Sequence, residues 1–344
     1  MNRKIGSNSD GGKGIRRAVP RGFSKLAPAK PSHVYDTYWK FAVKRQQIFV
    51  ARAKGEHFQT SDCILAKYKF TNAYRASDRV SQYLIQKVLY EGEQSAQEIF
   101  FRTLLFKFFN RIDTWETLTK KFGMPVSREF DPRKYGQVLE STLIRGVPIY
   151  SAAYIMPSGG KGSKYDRKHE MHLALLARMV KEETAKRLQD CARMRDAFVL
   201  LRSFPTIGDF LAYQYVTDLN YSSAWNYSEM EFVVPGPGAL DGLQKCFHDR
   251  GGLTEADLIR IVTDRQEREF ERLGLTFPDL WGRSLQLIDC QNLFCEISKY
   301  ARIAHPEVAG ITNRTRIKQV YSPNPEPIAL WYPPKWGLND RLPR

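Results

Sequence analysis

The sequence predicts a mainly α-helical protein built from two lobes. Bulky side chains recur at helical spacing over long stretches, alternating runs of β-branched residues are few, and two Gly- and Pro-rich breaks divide the chain. With 344 residues, 42% of them apolar, the chain can bury a substantial core. We expect four parts: a disordered basic tail (1–32), an N-terminal helical lobe (33–165), a second helical lobe (166–305) and a Pro-rich C-terminal wrap (306–344).

Three helical stretches should open the first lobe. "VYDTYWKFAVKRQQIFVARAKGE" repeats bulky residues and ends at Gly55. "SDCILAKYKFTNAYRASDRVSQYLIQKVLYEG" follows, with Ser61 as the expected N-cap and Gly92 as the stop. "SAQEIFFRTLLFKFFNRI" carries Phe and Leu in adjacent pairs every four residues. We therefore expect the third stretch to be a central core helix.

Two irregular regions interrupt the second half of the chain. Residues 154–172 are rich in Gly and cationic, and the helical "LALLARMVKEETAKRLQDCARMRDAFVLLRS" follows them. "YSEMEFVVPGPGALDGLQKCF" contains a second break. The last long helix is predicted in "WGRSLQLIDCQNLFCEISKYAR", and the segment with "IALWYPPKWGLN" should wrap back onto the body. We expect both irregular regions to lie near a cleft between the lobes.

The charge balance favours a polyanionic partner. Lys and Arg number 53 against 37 Asp and Glu, which gives a net charge of +16. Seven of these net charges lie in the first 32 residues, so the body is basic in its own right. We find no signal-peptide core and no apolar run long enough to span a bilayer. The five scattered cysteines are typical of reduced thiols, so we expect a cytoplasmic protein without disulfides or structural zinc.

A short connection at Phe204–Tyr215, "FPTIGDFLAYQY", joins two predicted helices. This pattern is typical of a helix-hairpin-helix, in which Gly208 takes a conformation closed to other residues and the first amides of the second helix point outward. Those amides, on Thr206, Ile207 and Gly208, would bind a DNA phosphate. The alternative is a tight αα-hairpin that only closes the core.

Two predicted helices carry polar stripes. The first stripe comprises Thr71, Arg75, Asp78 and Gln82, with Asn72 and Arg79 beside it. The second comprises Asp289, Asn292, Glu296 and Tyr300, with Lys299 beside it. Helical geometry places the members of each stripe on one face. Such stripes either face solvent or line a polar pocket that hydrogen-bonds a ligand.

Four motifs together resemble one known family: "YKFTNAYRASDRVSQYLI", "FPTIGDFLAYQYVTDLNYS", "FVVPGPGA" and "CEISKYAR". They are similar to the helical proteins described as α-glutamyl/putrescinyl thymine pyrophosphorylases or as the helical domain of 5-hydroxymethyl-deoxyuridine DNA kinases. That family is itself similar to helix-hairpin-helix DNA glycosylases. Its members are associated with phage DNA hypermodification and with a bacterial phage-defence glycosylase that removes glucosylated 5-hydroxymethylcytosine. The resemblance extends over residues 34–335 and implies a two-lobed, glycosylase-like fold.

The resemblance implies a base-flipping enzyme. Where bifunctional glycosylases carry a hairpin lysine this chain has Phe210, so a lysine-dependent lyase is excluded. The candidate catalytic carboxylates are Asp218, Glu231 and Glu229. The alternative for each is a structural role, as a cap, a local ion pair or a loop charge. We expect Arg75, Asp78, Asn292 and Glu296 to read the base and its substituent. Asn72, Arg79, Asp289 and Lys299 would complete the pocket, and Tyr154 could stack on the base.

The hypothesis that the chain is a kinase can be tested on its sequence. A phosphate-transferring P-loop needs the motif G-x-x-x-x-G-K-[ST]. "PSGGKGSK" does not fit, because Lys161 is followed by Gly162. The loop is better explained as a cationic DNA contact through Lys161, Lys164 and Arg167, or as a solvated loop.

The leading hypothesis is therefore a monofunctional DNA glycosylase. It would excise a bulky modified pyrimidine, such as glucosylated 5-hydroxymethylcytosine, from phage DNA in anti-phage defence. Two alternatives remain: a transferase that replaces a pyrophosphoryl group on 5-hydroxymethyluracil in DNA with an amino acid or amine, and a non-catalytic DNA-binding module. We expect double-stranded phage DNA carrying modified bases as partner, no membrane association, a monomer in the bacterial cytoplasm, no cofactor and no catalytic metal.

Overall fold

The computed structural model describes residues 29–56, 60–158, 165–323 and 329–343. Within these ranges the protein contains fourteen α-helices and a single two-stranded sheet. The predicted mainly helical class is confirmed, whereas a glycosylase-like arrangement of the helices stays a prediction. Over the same part of the chain, no helix has both the length and the apolar character needed to cross a membrane.

The fourteen α-helices are α1 (His33–Ala53), α2 (Cys63–Lys67), α3 (Arg79–Tyr83), α4 (Ala96–Phe109), α5 (Ile112–Phe122), α6 (Pro132–Ile144), α7 (Lys168–Lys181), α8 (Thr184–Gln189), α9 (Met194–Arg202), α10 (Asp209–Leu219), α11 (Pro237–Cys246), α12 (Glu255–Asp264), α13 (Gln266–Arg272) and α14 (Leu287–Ala304). Short 3-10 turns lie at Arg75–Ser77, Ser127–Glu129, Pro334–Trp336 and Asn339–Arg341, and a π-helix at Leu84–Leu89.

The sheet joins the end of the predicted tail to the body. Strand β1 (Lys30–Pro31) pairs antiparallel with β2 (Phe247–Asp249). The prediction of disorder is therefore wrong for these two residues, because their backbone groups find partners in β2. Residues 1–28, on which the rest of that prediction depends, lie outside the described residues.

Side-chain caps set several of the helix starts. The Ser32 hydroxyl accepts a hydrogen bond from the Val34 amide at the start of α1, which ends before Gly55 as predicted. Asp62, not the predicted Ser61, caps α2, since its carboxylate accepts from the amides of Ile64 and Leu65 at 3.1 Å. These bonds satisfy amides that have no partner within the helix.

Helix α4 is the centre of the first half of the protein. Ser95 caps it, and it ends at Asn110, which adopts a left-handed conformation. Nearly its whole length is buried, and it packs against α7, α8, α10 and the π-helix. The prediction of a central core helix is confirmed, because apolar residues occur on all sides of α4 and even its Glu98, Arg102 and Lys107 side chains are buried.

Helices α11 and α14 form the closest packed pair in the second half. A Cβ atom added to Gly242 would lie 1.9 Å from the backbone oxygen of Phe294, so the two backbones approach as closely as glycine allows. Helix α1 lies against both. The first helix of the predicted N-terminal lobe thus contacts the last helix of the predicted second lobe.

The C-terminal segment packs on the body as expected. Tyr332 is fully buried, and its hydroxyl lies 2.8 Å from the Ser77 hydroxyl. The Trp331 amide donates to the side chain of Gln82 at 2.9 Å. These contacts place the segment against the turn at Arg75–Ser77, which carries part of the site described below.

Replacing Gly242 with Ala should destabilise the protein, because the added methyl group would overlap the Phe294 carbonyl and force α11 and α14 apart. We expect a loss of about 1 to 3 kcal/mol in the free energy of unfolding, as for other overpacked cores. Thermal melting would measure it. Gly136→Ala is the matched control, since a Cβ there meets its nearest neighbour at 3.8 Å. Equal melting temperatures for the two variants would contradict this account of the packing.

Candidate functional site

Arg75 lies at the centre of a buried polar cluster. Its side chain is 2% exposed, although arginine is rarely buried unless it is paired. Its Nη1 donates to Oδ1 of Asp218 at 2.7 Å and to the Tyr221 hydroxyl at 3.1 Å. Its Nε donates to Gln214 at 2.9 Å. Gln214 and Asp218 belong to α10, and Tyr221 follows that helix. The cluster therefore joins the turn at Arg75–Ser77 to α10.

Asp218 is fully buried between two cations. Its other carboxylate oxygen, Oδ2, lies 3.1 Å from Nζ of Lys107 in α4, without the geometry of a hydrogen bond. Burial alone would raise the pKa of Asp218, but the charges of Arg75 and Lys107 outweigh it and hold that pKa below its usual range. Within the group of Arg75, Lys107 and Asp218, two cations against one carboxylate give a net positive charge. A second buried carboxylate, Asp289, contacts the backbone of Arg75 and not its guanidinium.

Lys107 was missed at the sequence level. It belongs to the apolar helix α4, is 2% exposed, and donates to Oδ1 of Asn110 at 2.7 Å. Burial lowers the pKa of Lys107 to about 8, against the opposing effect of Asp218. Charged residues inside a largely apolar helix, Arg102 as well as Lys107, were the available signal, since such residues need buried partners.

Tyr154 covers the cluster. Its ring stacks on Phe210 with 5.7 Å between centroids and 3° between planes. The ring centroid lies 4.3 Å from Nζ of Lys107 and 5.7 Å from Cζ of Arg75, within the range of cation–π contacts. Tyr154 has a backbone φ of +55°, which is uncommon for a residue with a side chain. The structure therefore holds an aromatic ring against the two cations.

Asp289 supports Arg75 from α14. It is buried, and its Oδ1 accepts the backbone N–H of Arg75 at 2.8 Å, while Oδ2 accepts that of Gln286 at 3.0 Å. Burial raises the pKa of Asp289 to about 6. The carboxylate contacts the Arg75 backbone, so its role in this arrangement is to position the turn that carries the guanidinium.

The first predicted polar stripe does not exist as a helical face. Residues 71–74 are not helical, and Arg75–Ser77 is a 3-10 turn that precedes α3. The side-chain amide of Asn72 donates to the Ser77 carbonyl at 2.7 Å, and the backbone N–H of Asn72 donates to the Asp78 carboxylate at 2.8 Å. Burial raises the pKa of Asp78 to about 7. Arg79 is exposed. The helical geometry assumed for this stretch was wrong, because these side chains bond to their own backbone.

The second stripe bonds to the same loop. Asn292 donates to the Thr71 hydroxyl at 3.0 Å and to the Asn72 carbonyl at 3.1 Å. Glu296 accepts from the Thr71 amide at 3.0 Å and forms an ion pair with Lys299 at 2.7 Å. The predicted pocket is therefore corrected: these polar side chains have partners within the chain, and the contacts of Asn292 and Glu296 join loop 71–78 to α14.

Glu229 and Glu231 form ion pairs elsewhere. Glu229 accepts from Arg283 at 2.7 Å and from the indole N–H of Trp336 at 3.1 Å. Glu231 lies 3.9 Å from Arg193. In the described part of the chain neither forms an ion pair or hydrogen bond with Arg75, Lys107 or Asp218. Of the three candidate carboxylates, the structure thus brings only Asp218 together with Arg75.

The hairpin is formed by α9, α10 and the turn between them. The residue with positive φ is Thr206, at +67°, whereas Gly208 has a φ of −81°, so the predicted special conformation of Gly208 was wrong. The Ile207 amide donates to the Phe204 carbonyl at 3.3 Å and is not free. Gly208 is exposed, a Cβ there would meet no atom within 4 Å, and no side chain caps α10. The start of α10 therefore offers uncapped amides.

The cationic loop is described only at its ends. Lys161 and Lys164 lie outside the described residues. Arg167 precedes α7 and pairs with Glu140 at 2.8 Å, with its side chain 60% exposed. Its charge is thus partly compensated within the chain.

Among the residues that the structure describes, Asp218 is fully buried, so its carboxylate does not line the open pocket that we expected. A cavity of about 710 Å³ lies elsewhere, beside β2, and is lined by residues 244 and 247–255. That cavity shares no lining residue with the cluster of Arg75, Lys107 and Asp218.

Comparison with known proteins gives one family and one relative. The family model described as "5-hmdU DNA kinase, helical domain" matches residues 32–310. The 5-hmdU DNA kinase of Bacillus phage SP10 is 26% identical over 294 residues, which cover 79% of this chain and 46% of that protein. The chain thus spans about half the length of the curated relative it matches. No solved structure matches this chain.

Replacing Asp218 with Asn should strongly destabilise the protein, because it leaves Arg75 and Lys107 buried without their counter-charge. We expect a loss of about 3 to 5 kcal/mol, as when one partner of a buried ion pair is removed. Denaturant unfolding would measure it. The matched control is Asp209→Asn, which breaks an exposed pair with Arg202 and should cost about 1 kcal/mol or less. A loss at Asp218 no greater than in the control would contradict the ion-pair account.

Proposed function

The chain belongs to the family described as the helical domain of 5-hmdU DNA kinases, and we propose that it acts on a modified pyrimidine in DNA by group transfer. An extrahelical nucleotide would bind at the cluster of Arg75, Lys107 and Asp218, and an amino acid or amine would replace a pyrophosphoryl group on its 5-methylene carbon. The relative from phage SP10, named as a DNA kinase, supports a substrate of this class.

The net positive charge of the buried cluster is the observation that carries this proposal. In the transfer, the amine nitrogen forms a bond to the methylene carbon, the carbon–oxygen bond to pyrophosphate breaks, and the amine loses a proton. Negative charge develops on the departing pyrophosphate. Arg75 and Lys107 are desolvated, and a preorganised positive charge in such a site stabilises an anionic leaving group.

The same charge disfavours base excision. Excision builds positive charge on the deoxyribose, which an uncompensated carboxylate would stabilise. Asp218 already faces two cations, with Arg75 at 2.7 Å and Lys107 at 3.1 Å. A developing cation beside this cluster would meet a net repulsion, and neither comparison points to a glycosylase. Group transfer is therefore favoured over base excision, which was the leading hypothesis from the sequence.

Phosphoryl transfer by this chain alone has no support in its sequence. The G-x-x-x-x-G-K-[ST] motif is absent from the 344 residues. We propose that this chain recognises the modified base and carries out the amine transfer. We do not assign to this chain the kinase activity that is named for the relative.

Tyr154 occupies the place that a flipped pyrimidine would take. Its ring is held between Phe210 and the two cations, in a planar slot that suits any aromatic ring. A base that displaced it would stack on Phe210 and place its substituent near Arg75 and Lys107. Base–aromatic stacking contributes about 1 to 3 kcal/mol per base and would offset part of the cost of flipping.

The hairpin would hold the duplex beside this slot. Gly208 is exposed with open space around it, and Phe210 lies two residues further on in the first turn of α10. The uncapped amides and the helix dipole favour a phosphate at this position. Because Phe210 stacks on Tyr154, a phosphate bound here would be close to the slot. Double-stranded DNA as partner and a monomeric state remain our predictions.

The reaction can be tested by mass spectrometry. Duplex DNA carrying 5-(pyrophosphoryloxymethyl)uracil should gain the mass of an added amine or amino acid, with loss of pyrophosphate, when incubated with the protein. Lys107→Met should reduce the rate about 100-fold or more, because it removes one of the two charges on the leaving group. Glu231→Gln is the control variant and should retain activity. Abasic sites in this DNA, or in DNA with glucosylated 5-hydroxymethylcytosine, would instead indicate excision.

The rate should fall as the pH rises through about 8. Lys107 has its pKa lowered to about 8 by burial, so its ammonium group is charged below that pH and neutral above it. Loss of this charge weakens stabilisation of the leaving group, and kcat/KM should therefore show an alkaline limb near pH 8. In Lys107→Arg, whose guanidinium stays charged, the residual activity should lack that limb. A limb of unchanged position in the variant would contradict the assignment.

A further inference from the structure

A second cluster, distinct from that site, lies where α1 begins and α14 ends. His33 is the first residue of α1, His305 follows α14, and Glu307 comes two residues later. One ligand atom from each of these three residues lies within 4.8 Å of the other two. We call these three residues the His–His–Glu cluster. Two imidazoles and a carboxylate are a donor set that suits zinc and similar transition metals.

Thr37 contacts His305 beside this cluster. The Thr37 hydroxyl lies 2.8 Å from Nε2 of His305. When the proton of the neutral ring is on Nε2, the Thr37 oxygen accepts it and Nδ1 presents a lone pair. Nδ1 faces Oε1 of Glu307 at 3.6 Å, beyond hydrogen-bond distance. In that tautomer two electron-pair donors face each other, and a cation between them would satisfy both.

Two of the three donor separations are close to the value for a tetrahedral ion. Ligand bonds of about 2.0 to 2.1 Å place neighbouring donors of a tetrahedral Zn²⁺ at ~3.3 Å from each other. Oε1 of Glu307 lies 3.0 Å from Nε2 of His33 and 3.6 Å from Nδ1 of His305, one on each side of that value. The side chains of His33 and Glu307 are 55% and 60% exposed, which leaves them room to rotate toward that geometry.

We propose that the His–His–Glu cluster binds a Zn²⁺ ion, with water in the fourth position. A ligand on α1 and two ligands after α14 would let the ion join the ends of two helices that pack together. Thr37 acts as a positioning residue, because its hydrogen bond orients His305 as partners of metal-bound histidines commonly do. The ion would stabilise the folded chain, since the three ligands meet only when α1 and α14 are packed.

Isothermal titration of the untagged, chelator-treated full chain with zinc sulfate at about pH 7.5 tests this, because histidine is then mainly neutral. We expect one ion bound per chain. His33→Ala, His305→Ala and Glu307→Gln should each weaken binding at least tenfold, and Thr37→Val about tenfold. His248→Ala and Cys63→Ser, which alter exposed metal-binding side chains elsewhere, should leave it unchanged.

Thermal melting provides an independent readout. Zinc should raise the melting temperature of the wild-type chain by several degrees, and magnesium should not, since Mg²⁺ prefers oxygen ligands. Thr37→Val and Glu307→Gln should melt near the wild type without metal and lose the zinc-dependent rise. Absence of zinc binding by the wild type, or undiminished binding by the cluster variants, would overturn the proposal. Loss of binding in His248→Ala or Cys63→Ser would overturn it as well.

Discussion

The contact of Arg75 with Asp218 is the interaction on which the arrangement of this protein depends. Taking a guanidinium and a carboxylate out of water costs several kcal/mol for each ion, and only close, hydrogen-bonded pairing offsets that cost. Arg75 achieves this with Asp218, Gln214 and Tyr221, all on α10 or just after it. The turn at Arg75–Ser77 and α10 must therefore keep their relative positions. Helix α4 is held to them because it carries Lys107, which needs the same carboxylate.

Further contacts hold the turn from two other sides. Asp289 of α14 accepts the backbone N–H of Arg75, and loop 71–78 is bonded to α14 through Asn292 and Glu296. The C-terminal segment completes the enclosure, because Tyr332 contacts Ser77 and the Trp336 ring packs edge-on against Tyr221. Residues expected to bind a ligand thus build the frame that presents Arg75. This is the reason why a buried guanidinium can remain in one orientation without a substrate.

The balance of charge in the cluster also decides which chemistry it suits. A single carboxylate in an apolar surrounding would favour a cationic transition state, and the same carboxylate between Arg75 and Lys107 does not. The slot occupied by Tyr154 combines an apolar face, supplied by Phe210, with two cations near its other side. A pyrimidine with an anionic substituent has the same combination of properties.

Local patterns in the sequence determined the helical class, the core role of α4 and the hairpin, because they depend on the periodicity of apolar residues and on Pro and Gly between them. Asp218 and Arg75 were identified as candidates, but their pairing was not, since 143 residues separate them and only packing brings them together. Lys107 and the closure of the site by Tyr154 were likewise decided by the tertiary structure. Polar periodicity failed at Asn72 and Asp78, where short-range side-chain to backbone bonds replaced the helix. A sequence records which polar groups must be buried, whereas the folded chain alone determines which partners satisfy them.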